Sequence, residues 1–529
     1  MMRTLSCFVL LAVLSGTGIL AQDAGQATTA LEVKSQLVVL DTVVTDKNGK
    51  IIKGLTKDDF SVYENGVQQK IHDFTPSDEL PPPPEAPAKD RNGHDDWGQA
   101  PLTMIVVDEM DTPFEELSYS RDCVEHYLKS RPAQLREPTI LLWLNDYGLH
   151  ALTSFTRDRQ ALLNALAKQP PSLAGKLNRG AAAEQLASSL AALQQAALFS
   201  RGEPGKKEII WVGRSFPGVD PINLEDYQRT LLTKAVRSTV DLLLASRVTL
   251  YVVDPTITGS AMDDDTAQEV DTLQLQTNST VQDPFASSFN LNLFVNETGG
   301  KYFRGRNDID QQIAASEDRS LSYYTLTYVP NPPITDGSYR QVVIRLRNPD
   351  LVAQTKKGYY GDAGEPAKPT KLEASLEEKD LRFDLYEASV TGMQYTGLGV
   401  HIDRCARDTG TPSATCIVSV DTGTLSFTDD PSGGERTTIM GVLSSIDAKG
   451  KLLNDTITRL TLAIPAAQVN QISSGFSKLK LQTVVPPGAK SVRVVVRDSS
   501  GRIGTADVPS NAVPPLVATA DELKGSKHK

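Results

Sequence analysis

Asp108-Glu109-Met110-Asp111-Thr112 puts three carboxylates and a hydroxyl at the end of an apolar run, Leu102 to Val107. Residues of these types can do two kinds of work. Asp108 and Asp111 can act as a hydrolytic pair, provided a pocket encloses them and raises the pKa of one. Alternatively the corner is a binding rim, because ligands of open α/β sheets sit outside the carboxyl ends of the strands. Leu102, Met104, Ile105, Val106 and Val107 are too continuous for a half-exposed strand, so the run reads as a central strand covered on both faces.

Other chemistry is weakly represented. There is no His-Glu-x-x-His, and the six histidines, His126 and His150 among them, are scattered. Gly202-Glu203-Pro204-Gly205-Lys206 is too short for a phosphate loop, and no Gly-x-Ser-x-Gly nucleophile turn occurs. Asp263-Asp264-Asp265 reads as a solvated acidic loop rather than a Ca²⁺ site.

The elements that must position the corner follow from periodicity. After Leu102–Val107, helix is expected at Phe114–Ser130, Asp158–Lys168, Ala181–Ser200 and Leu224–Ser246. Strands are expected at Thr139–Leu144, Leu149–Phe155, Glu208–Val212 and Val248–Val253. This alternation implies an α/β fold, a doubly wound, mostly parallel sheet over residues 101–320. Residues 31–78 alternate as a small β module, too short to close alone, and 321–360 can supply its missing strands. Residues 79–100, with Pro81 to Pro84, and 361–370 read as linkers. Residues 371–513 read as a separate β-sandwich-like domain, all-β from Leu381, and 514–529 as a polar tail. Asp46-x-x-Gly49-Lys50, Asp447-x-x-Gly450-Lys451 and Asp498-x-x-Gly501-Arg502 read as one turn chemistry reused between strands.

Composition narrows the function. A net charge of -11 over 529 residues argues against a nucleic-acid partner or an anionic lipid surface. Residues 1–21 have the outline of a signal peptide, with a retained anchor as the alternative; no later stretch is apolar enough to span a bilayer. The expected product is secreted, or periplasmic within the cell envelope. In that oxidising setting Cys405 and Cys416, flanking a turn-rich segment, are a candidate hairpin disulfide, and Cys123 a buried helix residue.

An ordered series of motifs resembles the acidobacterial VWFA-related family, built on a von Willebrand factor A domain. It runs from Val43-Val44-Thr45-Asp46 and Leu55-Thr56-Lys57-Asp58-Asp59-Phe60 through Val106-Val107-Asp108 and Phe155-Thr156-Arg157-Asp158. It continues through Thr298-Gly299-Gly300-Lys301-Tyr302-Phe303 to Gly337-Ser338-Tyr339-Arg340 and Lys357-Gly358-Tyr359. The resemblance implies a six-stranded doubly wound sheet, and a corner that in many A domains holds Mg²⁺ or Ca²⁺ and adheres to a partner's carboxylate. The family pattern wants Asp-x-Ser-x-Ser, then a Thr and an Asp from later loops. Here Asp108 and Thr112 match, Met110 supplies no oxygen, and Ala181 and Gly213 stand where the later ligands belong. The site is therefore degenerate, unless Glu109 or Asp111 substitutes. Arg214 would repel an ion, and a salt bridge from Asp108 to Arg214 is expected in its place. These expectations describe an exported, non-enzymatic, adhesion-type protein that needs no cofactor and binds a protein or cell-surface polymer. A structural scaffold of the envelope or secretion apparatus and a carboxylate hydrolase are the rivals.

Overall fold

The computed structural model describes residues 37–77, 83–85, 87–90, 92–93, 95–110, 112–146, 148–170, 182–214, 219, 224–256, 291–303, 308–332, 337–361, 371–408, 411–430, 433–465 and 475–513. The expected signal peptide, Asp111, Ala181, the Asp263–Asp265 loop, most of the 361–370 linker and the tail lie outside them. Alternating sequence near the amino terminus gives β1 (Val38–Asp46), β2 (Phe60–Glu64), β3 (Val67–Gln69) and β4 (Ile71–Thr75). Residues 79–100, expected to be a linker, are not bare connection. In the structure they carry the short pair β5 (Ala88–Lys89) and β6 (Asp95–Asp96), and Trp97 is buried. Asn92 is tied to Val400 and His401.

The chain then alternates. In order come β7 (Leu102–Asp108), α1 (Phe114–Ser130), β8 (Gln134–Asn145), β9 (Gly148–Ala151), β10 (Thr156–Asp158), α2 (Arg159–Ala167), α3 (Ala182–Ser200), β11 (Lys207–Val212) and α4 (Asp226–Ala245). They are followed by β12 (Val248–Val253), α5 (Leu291–Glu297), β13 (Tyr302–Phe303) and α6 (Ile309–Ser320). Local chemistry sets several ends. Arg131, extended before Pro132, stops α1, and the Asp158 side chain accepts from the Gln160 and Ala161 amides to start α2. The sheet order is β10-β8-β7-β11-β12-β13, with β9 also on β8. The run from β8 to β13 is parallel, while β9 and β10 are antiparallel, so the sheet is mixed. Among the described residues it is the one mixed sheet, the others being antiparallel.

Every residue of β7, β11 and β12 is buried, and successive side chains feed two cores. Met104, Val106, Ile209, Trp211 and Val252 share one with Leu193, Val236 and Val240 of α3 and α4. Ile105, Val107, Ile210, Val212 and Val253 share the other with Leu117, Val124, Leu162 and Ile313 of α1, α2 and α6. Each such aliphatic side chain contributes roughly 1.5–3 kcal/mol by burial.

Beyond α6 the chain returns to the first β module with β14 (Tyr324–Tyr328), β15 (Tyr339–Leu346), β16 (Leu351–Gln354) and β17 (Gly358–Tyr360). They build two four-stranded sheets, β16-β1-β14-β4 and β17-β15-β2-β3, each mixing strands from both segments. Glu64 is buried there. It pairs with Arg340, 1% exposed, and accepts from the Tyr328 and Tyr359 hydroxyls, each at 2.7 Å.

The carboxyl-terminal region opens with a helix, α7 (Lys371–Val390), which corrects the all-β reading from Leu381. Its Leu-, Glu- and Lys-rich sequence is made of strong helix formers, and Leu385 and Ala388 are buried. After it come β18 (Val400–Arg407), β19 (Ser413–Asp421), β20 (Thr428–Asp429), β21 (Glu435–Ile446), β22 (Leu452–Ile464), β23 (Phe476–Val484), β24 (Ser491–Asp498) and β25 (Ile503–Pro509). One sheet is β18-β19-β23. In the other, β21 pairs with β22 and with β24, and β24 with β25. This region was expected to stand apart, yet from Leu37 onward the chain clusters as one compact unit. The Thr396 hydroxyl donates to Glu203, and Arg201 to the Ser500 carbonyl.

The three Asp-x-x-Gly turns share one geometry. Oδ1 of Asp46, Asp447 and Asp498 accepts from the amides two and four residues on, at 2.7–2.9 Å. Gly49, Gly450 and Gly501 each take φ near +80°, which only glycine adopts without strain.

Candidate functional site

At the carboxyl end of β7, Asp108 is fully buried, and its Oδ2 accepts from the Trp211 indole at 3.2 Å. Glu109 Oε2 accepts from the Trp143 indole at 2.6 Å. The two tryptophans flank β7, Trp211 beside Val106 and Trp143 beside Val107. The chain alternates face at each residue, so each indole meets the carboxylate on its own side. Thr112 is also fully buried, and its Oγ1 accepts from the Arg214 amide at 2.9 Å. Gly213 crosses this corner so closely that a Cβ would stand 2.6 Å from the Asp108 Cβ and 2.8 Å from the Thr112 Oγ1.

The sequence places Asp108, Glu109, Thr112 and Arg214 in one corner, and the structure brings them together there. It does not join Asp108 to Arg214. The guanidinium forks Glu116 of α1 instead, with Nε to Oε2 at 2.9 Å and Nη2 to Oε1 at 3.0 Å. Glu116 lies in the first turn of α1 and presents both oxygens to the fork, whereas Asp108 is sealed beneath Gly213. Asp254, at the matching end of β12, was missed. It is buried and accepts from the Tyr302 hydroxyl at 2.7 Å and the Thr256 amide at 2.8 Å. The signal that singled out Asp108, an acid closing an apolar strand, also marks Asp254.

A divalent cation of the Mg²⁺ or Ca²⁺ type needs several free oxygens. Here an oxygen of Asp108 and one of Glu109 face indole donors, Met110 has none to give, and the Arg214 guanidinium stands at the rim. Among the described residues of this corner, the donor set suits such an ion poorly. Among the described residues no group of three or more His, Cys, Asp or Glu side chains is arranged to hold a metal.

A second constellation sits at the opposite end of the same strands. Thr103 of β7 lies between Glu137 of β8 and Glu208 of β11, its Oγ1 2.6 Å from Glu137 Oε2 and 3.1 Å from Glu208 Oε1. A hydroxyl carries one hydrogen, so Thr103 can donate to only one of the two buried carboxyls at a time. Burial, opposed by the Thr103 hydrogen bond, raises Glu137 to about 7. Burial and the charge of Glu137 push Glu208 well above the usual carboxylate range. The neighbouring Lys206 ammonium is fully buried, which lowers its pKa, and it lies 4.8 Å over the Tyr323 ring. Nearby, Arg247 holds Asp41 of β1 through two hydrogen bonds at 2.7 and 3.0 Å, which couples the mixed sheet to the sandwich. The sequence signal was a charge at the start of an apolar strand, as in Lys207-Glu208-Ile209.

Cys405 and Cys416 face each other in register on β18 and β19 and are joined as a disulfide. Cys123 is half-buried on α1 and is not disulfide-bonded.

No protein-family model matches the chain, and no curated protein matches it. Solved structures give weak likenesses. Proximal thread matrix protein 1 from the mussel byssus is similar at 15% identity and a TM-score of 0.21, over 30% of this chain and 38% of that one. A human COPII-coat protein is similar at 10% identity and a TM-score of 0.24, over 50% of this chain and 44% of that one. The chain thus spans less than half the length of either. The SpRpn10 VWA domain is similar at 16% identity and a TM-score of 0.16, over 32% of this chain and 95% of that domain. At these scores the likenesses carry no argument about function, and the fold stands on its strand order and cores.

Proposed function

We propose that this chain is an exported, non-enzymatic, adhesion-type protein whose von Willebrand A-like region binds a protein or cell-surface polymer without a metal ion. The observation that carries this is the corner itself. The scaffold is of the ligand-binding kind, with parallel strands in the order β8-β7-β11-β12 and helices on both faces. The oxygens that would hold an ion are instead engaged by Trp211, Trp143 and the Arg214 amide. What the rim offers a partner is the half-exposed Arg214–Glu116 pair. A hydrolase using Asp108 is disfavoured because that carboxylate is fully buried beneath Gly213.

The test is capture from envelope extracts on the immobilised full chain, with and without EDTA, alongside thermal unfolding with Mg²⁺ or Ca²⁺. Capture is expected to survive EDTA and to weaken in Arg214→Glu, and neither ion should raise Tm. Asp108→Ala should destabilise by about 1–3 kcal/mol by leaving the Trp211 indole without this acceptor. A Tm gain with Mg²⁺ that vanishes in Asp108→Ala would sink the metal-free reading. Capture of nothing would favour the scaffold rival.

A further inference from the structure

β22 is the outer strand of its sheet: among the described residues it pairs through its backbone with β21 alone. It is thirteen residues long, and its register with β21 runs unbroken from Ile464 to Asn454. Edges of this kind are usually blunted by proline, by charged side chains and lysine above all, by a mid-strand bulge or by shortness. Leu452–Ile464 contains neither proline nor lysine, and its single register shift lies at the Leu452 end.

Its side chains alternate. Leu460 and Leu462 pack toward the sandwich core, and Asn454 and Thr456 reach Thr483 of β23. Asp455, Ile457 and Arg459 stand exposed on the other face, with Ile457 38% exposed. Among the described residues Arg459 reaches toward the Met440 sulfur of β21, at 3.3 Å.

These three residues are self-complementary about Ile457. If a second β22 lies antiparallel with Ile457 facing Ile457, Asp455 of each copy faces Arg459 of the other, Thr456 faces Thr458, and Leu452 faces Leu462. Shifting the register by two residues separates both charge pairs, so charge selects one alignment. We infer that β22 is a homodimer edge, on which a second copy of this chain adds its own β22 antiparallel, through a two-fold axis at Ile457. Such an isologous contact closes on itself and consumes the edge that would otherwise invite open-ended aggregation. A dimer also presents two rims, which strengthens attachment to a repetitive surface.

The test uses the full chain and two charge reversals on the exposed face, Asp455→Arg and Arg459→Asp, with circular dichroism to show that both fold. By sedimentation at roughly 10 μM, where a micromolar dimer is populated, the unaltered chain should run as a dimer. Each reversal sets like charges opposite one another twice and should weaken the dimer about tenfold or more. Mixing the two variants restores both pairs in a heterodimer, so the mixture should recover the dimer mass. A monomeric unaltered chain, a dimer indifferent to both reversals, or a mixture that stays monomeric would each overturn the inference.

Discussion

Replacing Arg340 with methionine is expected to destabilise the sandwich by about 3–5 kcal/mol, because it leaves a buried carboxylate without its cation. Glu64 is 4% exposed, and the Tyr328 and Tyr359 hydroxyls that also bond to it cannot neutralise its charge. The loss should fall on β2 and β15, which carry the pair and lie side by side. Hydrogen exchange of those strands is the suitable measurement, since a chain with several cores does not unfold in one step. The double variant Glu64→Leu with Arg340→Met removes both charges and should recover most of the loss. Equal exchange in the single and double variants would show that packing, not the unpaired charge, dominates.

The second large effect is a dependence on pH. Glu137 is raised from 4.5 to about 7 in the folded chain, so between those values the folded state holds a proton that the unfolded state has released. Stability from this group is fully present below about pH 4.5 and is lost as pH rises toward 7 and beyond. The loss is on the order of 3 kcal/mol. Glu208 shifts in the same direction and adds to the slope. Asp41 acts oppositely: burial raises its pKa, but Arg247 more than offsets this and the net shift is downward. Its contribution is present above the unfolded value of 3.8 and lost in stronger acid. Hydrogen exchange of β7, β8 and β11, corrected at each pH for the intrinsic exchange rate, should give a flatter stability profile for Glu137→Gln between pH 4.5 and 7 than for the unaltered chain. An unchanged profile would show that the proton resides elsewhere.

What could be read from the sequence, and what could not, divides by range. The strand expected over Leu102–Val107 is observed as Leu102–Asp108, and the helix expected over Phe114–Ser130 is observed over those residues. Both follow from local periodicity. The turns at Asp46, Asp447 and Asp498 were equally legible, because an acid and a glycine three residues apart determine them. The partner of Arg214 was not, since Glu116 lies 98 residues away and competes with Asp108 only once the strand ends are assembled. Nor was the role of Trp143 and Trp211, which count as two more apolar residues until register sets their indole nitrogens beside Glu109 and Asp108. The helix α7 departs from the β pattern expected there because its residues have strong helix propensity, while the alternation of the strands begins only beyond it.

The sandwich built from both sides of the mixed sheet constrains the order of folding. Tyr328 meets Glu64 across a separation of 264 residues, so strands β1 to β4 leave the ribosome long before their partners exist. Closing so large a loop from a disordered chain is slow, because entropy must be given up before any contact rewards it. The intervening mixed sheet changes that search: once folded, it fixes the span between the chain leaving β4 and the chain entering β14, which end as direct neighbours. It is thereby expected to act as an internal template, with β1 to β4 among the last strands to find their places.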